Sequence, residues 1–162
     1  MELEVTPFVG VGPLKFGMAR DQVGALMGDP DEMKLEQWPG GEESEYWKYI
    51  KIGLEVRFDS EDGWRAVNFS LSKGGLFGVP IIGMKSDQAV RELLFETNHR
   101  FVLSDDMAGI GLACFSCSEI EIDFWAADHV VNNVSVSPKF DKDGNEILWP
   151  DQDERISMLE EL

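Results

Sequence analysis

Two cysteines and two histidines are all that this 162-residue chain offers as thiolate or imidazole ligands for zinc. A zinc site needs four donors in close array. Cys114-Phe115-Ser116-Cys117 is a lone C-x-x-C, with only His99 and His129 to complete it. The segment reads as a strand, in which residues three apart point to opposite faces. Two ordinary thiols are therefore expected, and no metal or cofactor is assigned. The sequence also lacks a G-x-S-x-G elbow, a P-loop and an H-E-x-x-H pair, the usual marks of nucleophilic, phosphate-binding and zinc-hydrolase sites. No apolar run reaches the ~20 residues of a membrane-spanning helix. Basic residues are scarce as well: 14 Lys and Arg stand against 31 Asp and Glu, a formal charge of −17. Such a chain repels phosphate backbones and anionic lipid, which argues against nucleic-acid and membrane partners. The start, Met1-Glu2-Leu3-Glu4, is acidic and lacks the basic-then-apolar order of a secretory signal. The expected location is the cytoplasm.

With 43% hydrophobic and 10% aromatic residues, the chain can bury a core. Its clearest internal pattern is a phrase written twice. Phe16-Gly17-Met18-Ala19-Arg20-Asp21-Gln22-Val23 returns, with one residue inserted, as Ile82-Gly83-Met84-Lys85-Ser86-Asp87-Gln88-Ala89-Val90. Each phrase opens an amphipathic helix, with Val23, Leu26 and Met27 as the apolar stripe of the first and Val90, Leu93 and Leu94 as that of the second. Gly28-Asp29-Pro30 stops the first helix, and Ser86 is the expected N-cap of the second.

Strands follow each helix. Leu54-Glu55-Val56-Arg57-Phe58 alternates with period two, the pattern of a sheet with one wet face, and Ile120-Glu121-Ile122-Asp123-Phe124 is its expected counterpart. Val67 to Leu71 and Val134 to Val136 follow, with Glu45 to Lys51 and Ile110 to Phe115 before, and Phe101 to Leu103 as a further candidate. The expected architecture is α+β: two tandem helix-plus-antiparallel-sheet repeats forming one continuous curved sheet with helices on one face. The first repeat spans 1–73 and the second 74–140. Residues 141–162 form a hairpin turn and an acidic tail ending in a short helix around Ile156 and Leu159. Ser72 to Pro80 is the expected linker, and the Trp38 to Ser44 loop is expected to be mobile.

The phrase Phe16-Gly17-Met18-x-Arg20-Asp21-x-Val23-x-x-Leu26-x-Gly28-x-Pro30 resembles the helix signature of the BamE/SmpA-like family. In two tandem copies it is similar to the beta-lactamase inhibitor protein fold. The second copy keeps Gly83-Met84 and Asp87-Gln88 but lacks the glycine–proline stop. The resemblance carries no catalytic content; it implies a scaffold whose sheet face holds another protein.

Other candidate sites read as structural. Asp141-Lys142-Asp143-Gly144-Asn145 begins like a calcium loop, but Glu146 stands where glycine is needed and Gln152 where a bidentate glutamate is needed. A hairpin turn is expected there. His129 beside Asp128 reads as a turn or sheet-edge residue rather than half of an acid–base pair. The acidity either keeps the protein soluble or steers it to a basic partner.

In Glu45-Tyr46-Trp47-Lys48-Tyr49-Ile50, alternation puts Tyr46 and Ile50 on one face and Trp47 and Tyr49 on the other. Two readings stand: these rings cover the sheet, or they anchor a partner on its open face. On the second, Trp47 and Tyr49 are the anchors, Trp38 and Trp64 rim them, and Glu42, Glu43, Glu45, Asp59, Glu61 and Asp62 form the charged surround. The expectation is a non-enzymatic, cytoplasmic protein-binding module: an inhibitor or bacterial immunity protein that occludes a basic toxin domain. The alternatives are an intracellular scaffold, binding its own oligomer or a housekeeping partner, and a small metal protein or enzyme built on Cys114, Cys117, His99 and His129.

Overall fold

The computed structural model describes residues 3–150. A small N-terminal sheet of β1 (Val5–Thr6), β2 (Gly10–Val11) and β3 (Leu14–Lys15) leads into α1 (Arg20–Met27). Four strands follow: β4 (Glu32–Gln37), β5 (Glu43–Tyr49), β6 (Leu54–Asp59) and β7 (Arg65–Leu71). Next come α2 (Ser86–Thr97) and four more strands: β8 (Val102–Met107), β9 (Leu112–Cys117), β10 (Ile122–Ala127) and β11 (Val130–Val136). A short hairpin, β12 (Lys139–Phe140) with β13 (Ile147–Leu148), closes the described chain around residues 141–146. The helix expected around Ile156 and Leu159 lies outside the described residues.

The eight strands from β4 to β11 form one antiparallel sheet in the order β4-β5-β6-β7-β11-β10-β9-β8. The class is α+β. Each four-strand run is a meander, and the two runs meet where β7 pairs with β11 through three residue pairs: Leu71 with Val134, Ser70 with Ser135, and Phe69 with Val136.

Alternation divides each strand between two faces, and the helices cover one of them. Leu54, Val56, Phe58, Phe69, Ile122, Phe124 and Val134 are buried in one hydrophobic cluster with Val23 of α1 and Ala89 and Leu93 of α2. Fully burying a Phe or Leu side chain is worth about 1.5–3 kcal/mol, so this cluster holds both helices on the same face. The N-terminal sheet joins it through Val5, Val11 and Leu14, and Trp149 packs against it.

The repeated phrase has a definite backbone role. Gly17 donates its N–H to Ala66 O at 2.9 Å, and Met18 O accepts from Ala66 N at 2.8 Å. In the second run, Gly83 donates to Val131 O at 2.8 Å, and Met84 O accepts from Val131 N at 2.9 Å. Each glycine sits at positive φ, 95° and 90°, which glycine adopts without steric cost. Each phrase thus clips its helix to the last strand of its own meander, beside a β-bulge at Arg57/Phe58 or at Trp125/Ala126.

Several details differ from the sequence reading. β10 starts at Ile122, with Ile120 and Glu121 in the preceding turn, because a shift of two residues preserves the alternation and is invisible to it. Leu26 is 51% exposed, leaving Val23 as the one buried residue of α1. Ser86 is the first helical residue rather than the cap, and its N–H bonds to His129 O at 2.9 Å. The Ser72 to Pro80 segment is pinned: Leu76 and Val79 are buried and exchange both backbone hydrogen bonds across a tight turn. The Trp38 loop is a hydrogen-bonded turn, with Trp38 N–H on Glu42 O and Gly41 N–H on Trp38 O.

Candidate functional site

Among the described residues, the buried apolar side chains of the helices and the N-terminal sheet belong to the single cluster on one side of the large sheet. The other side carries the remaining half of each alternating strand. One row runs across all eight strands: Glu32, Lys48, Glu55, Ser70, Ser135, Asp123, Ser116 and Val102. It is charged at one end, hydroxylated in the middle and apolar only at its last member. Next to it run Lys34, Tyr46, Arg57 and Asn68.

Structure overturns the placement of the expected anchors. Trp47 and Tyr49 face the helices, 7% and 6% exposed, opposite Val56 and Leu54. Trp47 meets Phe58 edge-on at 4.9 Å between ring centres, and its Nε1–H donates to Glu45 Oε1 at 2.7 Å. The Tyr49 hydroxyl donates to Gly28 O at 2.9 Å, tying the end of α1 to the sheet; burial, helped by Asp29 and Asp31, pushes its pKa up. Glu45 shares this side and accepts from Arg20 Nη1 at 2.7 Å. The same guanidinium lies 4.5 Å above the Trp64 ring. Alternation separated the two faces correctly but could not say which one the helices cover, and two aromatic rings opposite Leu and Val belong in the core.

Trp38, Asp59 and Asp62 fare differently. Trp38 Nε1–H donates to Ser44 Oγ at 2.9 Å, and Ser44 Oγ–H donates to Asp59 Oδ1 at 2.7 Å. Arg57 is drawn to the same carboxylate, with Nε 3.2 Å from Oδ1 and Nη2 3.4 Å from Oδ2. Both contacts are long, so the pair is more electrostatic than hydrogen-bonded. Ser44 and Arg57 lie on the bare face, so this chain organises its Trp38 end. Asp62 sits close enough to Asp59 for repulsion: burial first, then Asp59, raises its pKa. Glu42 and Glu43 are half-buried and Glu61 is exposed, all in the connections at that end. Glu43 N–H bonds to Ser60 Oγ at 2.8 Å.

Two aromatic residues of the bare face were not among the expected anchors. Tyr46, half-buried, faces Lys34 and Arg57; burial and a hydrogen bond with Glu36 raise its pKa. A shallow basin of about 430 Å³ opens beside it, lined by Glu32, Lys34, Glu36, Lys48 and Glu55. Trp125 stands between Cys114 and Asn133. The signal for Trp125 was in the sequence: Ile122, Phe124 and Ala126 make the buried face of β10, so an aromatic at 125 breaks the wet side of the pattern.

The candidate chemical centres come apart. Cys114 is on the bare face opposite Trp125, whereas Cys117 pairs with Ile122 on the core side. Burial raises both thiol pKa values, which keeps them protonated and unreactive. His129 and Asp128 both have positive φ, 67° and 48°, as the central residues of a two-residue hairpin turn closed by Ala127 and Val130. His99 packs its ring 5.4 Å from Phe77. Among the described residues no three His, Cys, Asp or Glu side chains converge as a metal site, and no helix is long and apolar enough to cross a membrane. No family model, curated protein or solved structure matches the chain.

Proposed function

We propose that this protein is a binding module for another protein, and that the partner sits on the bare face of the eight-stranded sheet. The observation that carries the reading is that one whole face of the sheet has no covering layer among the described residues, yet holds aromatic side chains in a fixed polar frame. Tyr46, Trp125 and Trp38 take the anchor role first given to Trp47 and Tyr49, since large amphipathic rings carry much of the energy of protein interfaces. Asp59, Asp62, Glu36, Glu55 and Asp123 form the acidic surround, and the formal −17 favours a basic partner by steering its approach. A bacterial immunity protein that occludes a basic toxin domain fits these features.

We also infer that the two helix-plus-meander runs are tandem copies, as in BamE/SmpA-like and beta-lactamase-inhibitor-like scaffolds. The matched glycine and methionine hydrogen bonds and the two matched bulges support this. Doubling the unit widens the bare face.

The test is coexpression in bacteria with a toxin domain encoded beside this protein, followed by titration calorimetry on the pair. Wild-type protein protects the cells and binds. Tyr46→Ala with Trp125→Ala binds at least tenfold more weakly while keeping its circular dichroism spectrum. Full protection by that folded double variant would move the site off the bare face.

A further inference from the structure

The two outer edges of the large sheet are unlike each other. At one edge β8 is interrupted by a bulge between Leu103 and Asp105, a device that limits edge-to-edge pairing, and its exposed charges, Asp105 and Asp106, are of one sign. At the other edge β4 keeps regular register with β5 over all six residues, with no bulge and no proline. Its hairpin fixes which backbone groups are free. Trp38 N–H bonds to Glu42 O, and hydrogen-bonded pairs alternate along an antiparallel ladder. The pairs Glu36–Ser44, Lys34–Tyr46 and Glu32–Lys48 therefore bond inward. The N–H and C=O groups of Met33, Leu35 and Gln37 face outward, with no neighbouring strand among the described residues.

We propose that β4 pairs antiparallel with β4 of a second copy, joining two sheets into one across a two-fold axis. Charge and side-chain pattern select this occupant. On the bare face the strand reads Glu32, Lys34, Glu36, so its signs alternate. With Met33 opposite Met33 of the other copy, Glu32 of each lies beside Lys34 of the other. With Leu35 opposite Leu35, Lys34 lies beside Glu36 in the same way. Opposite charges directly across a sheet stabilise the pair, and like charges oppose it. On the helix side, Met33 and Leu35 are 60% and 54% exposed; the first register sets Met33 against Met33 of the other copy, and the second sets Leu35 against Leu35. The overall −17 opposes approach, but at physiological salt its reach is only about 8 Å. At the seam the alternating signs decide.

The purified full chain is followed by sedimentation over a micromolar to millimolar series, with no partner added. The wild type passes from one copy to two as concentration rises. Lys34→Glu makes the edge uniformly acidic and stays monomeric; Glu32→Lys with Glu36→Lys makes it uniformly basic and also stays monomeric. An equimolar mixture of the two variants restores the dimer. Glu32 and Lys34 are exposed and Glu36 is half-buried on the edge strand, so the variants keep the wild-type circular dichroism spectrum. In the wild type, amide exchange at Met33 and Leu35 slows with concentration while that at Lys34 does not change. A wild type monomeric throughout, a Lys34→Glu dimer, or a mixture that fails to associate would each overturn the proposal. Toxin binding is not read in any arm, so these outcomes are separate from those on the bare face.

Discussion

Trp47 donates its indole N–H to Glu45 Oε1 at 2.7 Å, two positions along the same strand and on the core side of the sheet. The ring is thus fixed at both ends, by Phe58 at its edge and by a carboxylate that Arg20 also holds. Trp47→Ala is expected to lose about 3–5 kcal/mol in urea denaturation, the usual cost of deleting a large buried ring. Trp47→Phe should keep the larger part of that stability. A Trp47→Ala protein as stable as wild type would return this residue to the surface.

Ser44 is 4% exposed and links Trp38 to Asp59 with one hydroxyl. Ser44→Ala leaves an indole N–H and a carboxylate oxygen without their shared partner. The expected cost is about 1–3 kcal/mol, the range for a buried polar group left unsatisfied. Thermal unfolding measures the loss, and a change in Trp38 fluorescence locates it.

Asp62 has a raised pKa, first through burial and then through repulsion from Asp59. The unfolded chain gives up this proton near about pH 4, whereas the folded protein holds it to higher pH. The group therefore costs stability above that range, and nothing below it. Asp62→Asn should raise the melting temperature at pH 7, and the gain should fade as pH falls toward 4. A gain that persists in acid would have another cause.

Glu121 combines two unfavourable features: φ of 52° and a pKa raised by burial and by Asp123. A left-handed residue other than glycine costs roughly 1–2 kcal/mol, part of which glycine repays in unfolded-chain entropy. Glu121→Gly is expected to stabilise the protein by about 0.5–1 kcal/mol in chemical denaturation. Destabilisation would show that the Glu121 side chain makes a favourable contact.

The parts of this fold that were legible in the sequence are those set by period and by glycine. The Gly17 and Gly83 phrases marked two helix starts, and Leu54 to Phe58 marked a half-wet strand. β4 was equally readable as Glu-Met-Lys-Leu-Glu-Gln, yet strongly charged edge strands have little apolar content to draw attention. Two-residue period separates faces and leaves their identity open, which is why Trp47 and Tyr49 were set on the wrong side. Cross-strand neighbours settle that point: Leu54 and Val56 face those rings, whereas Arg57 faces Tyr46. Such pairings depend on register, which a single strand does not encode.

The seam between β7 and β11 has three residue pairs, where β4–β5 and β5–β6 have six each. The broadest layer of the molecule is therefore fastened by its fewest rungs at its centre. One amide works there as a stitch: Asn68 Nδ2 lies 3.0 Å from Ser135 Oγ, 3.1 Å from Val136 O and 3.3 Å from Ser137 Oγ. A protein bound on the bare face, as proposed, would span that line and clamp the two meanders together from outside. Occupancy of the face and cohesion of the host would then rise together, since a partner that binds only the joined sheet adds its binding energy to the seam.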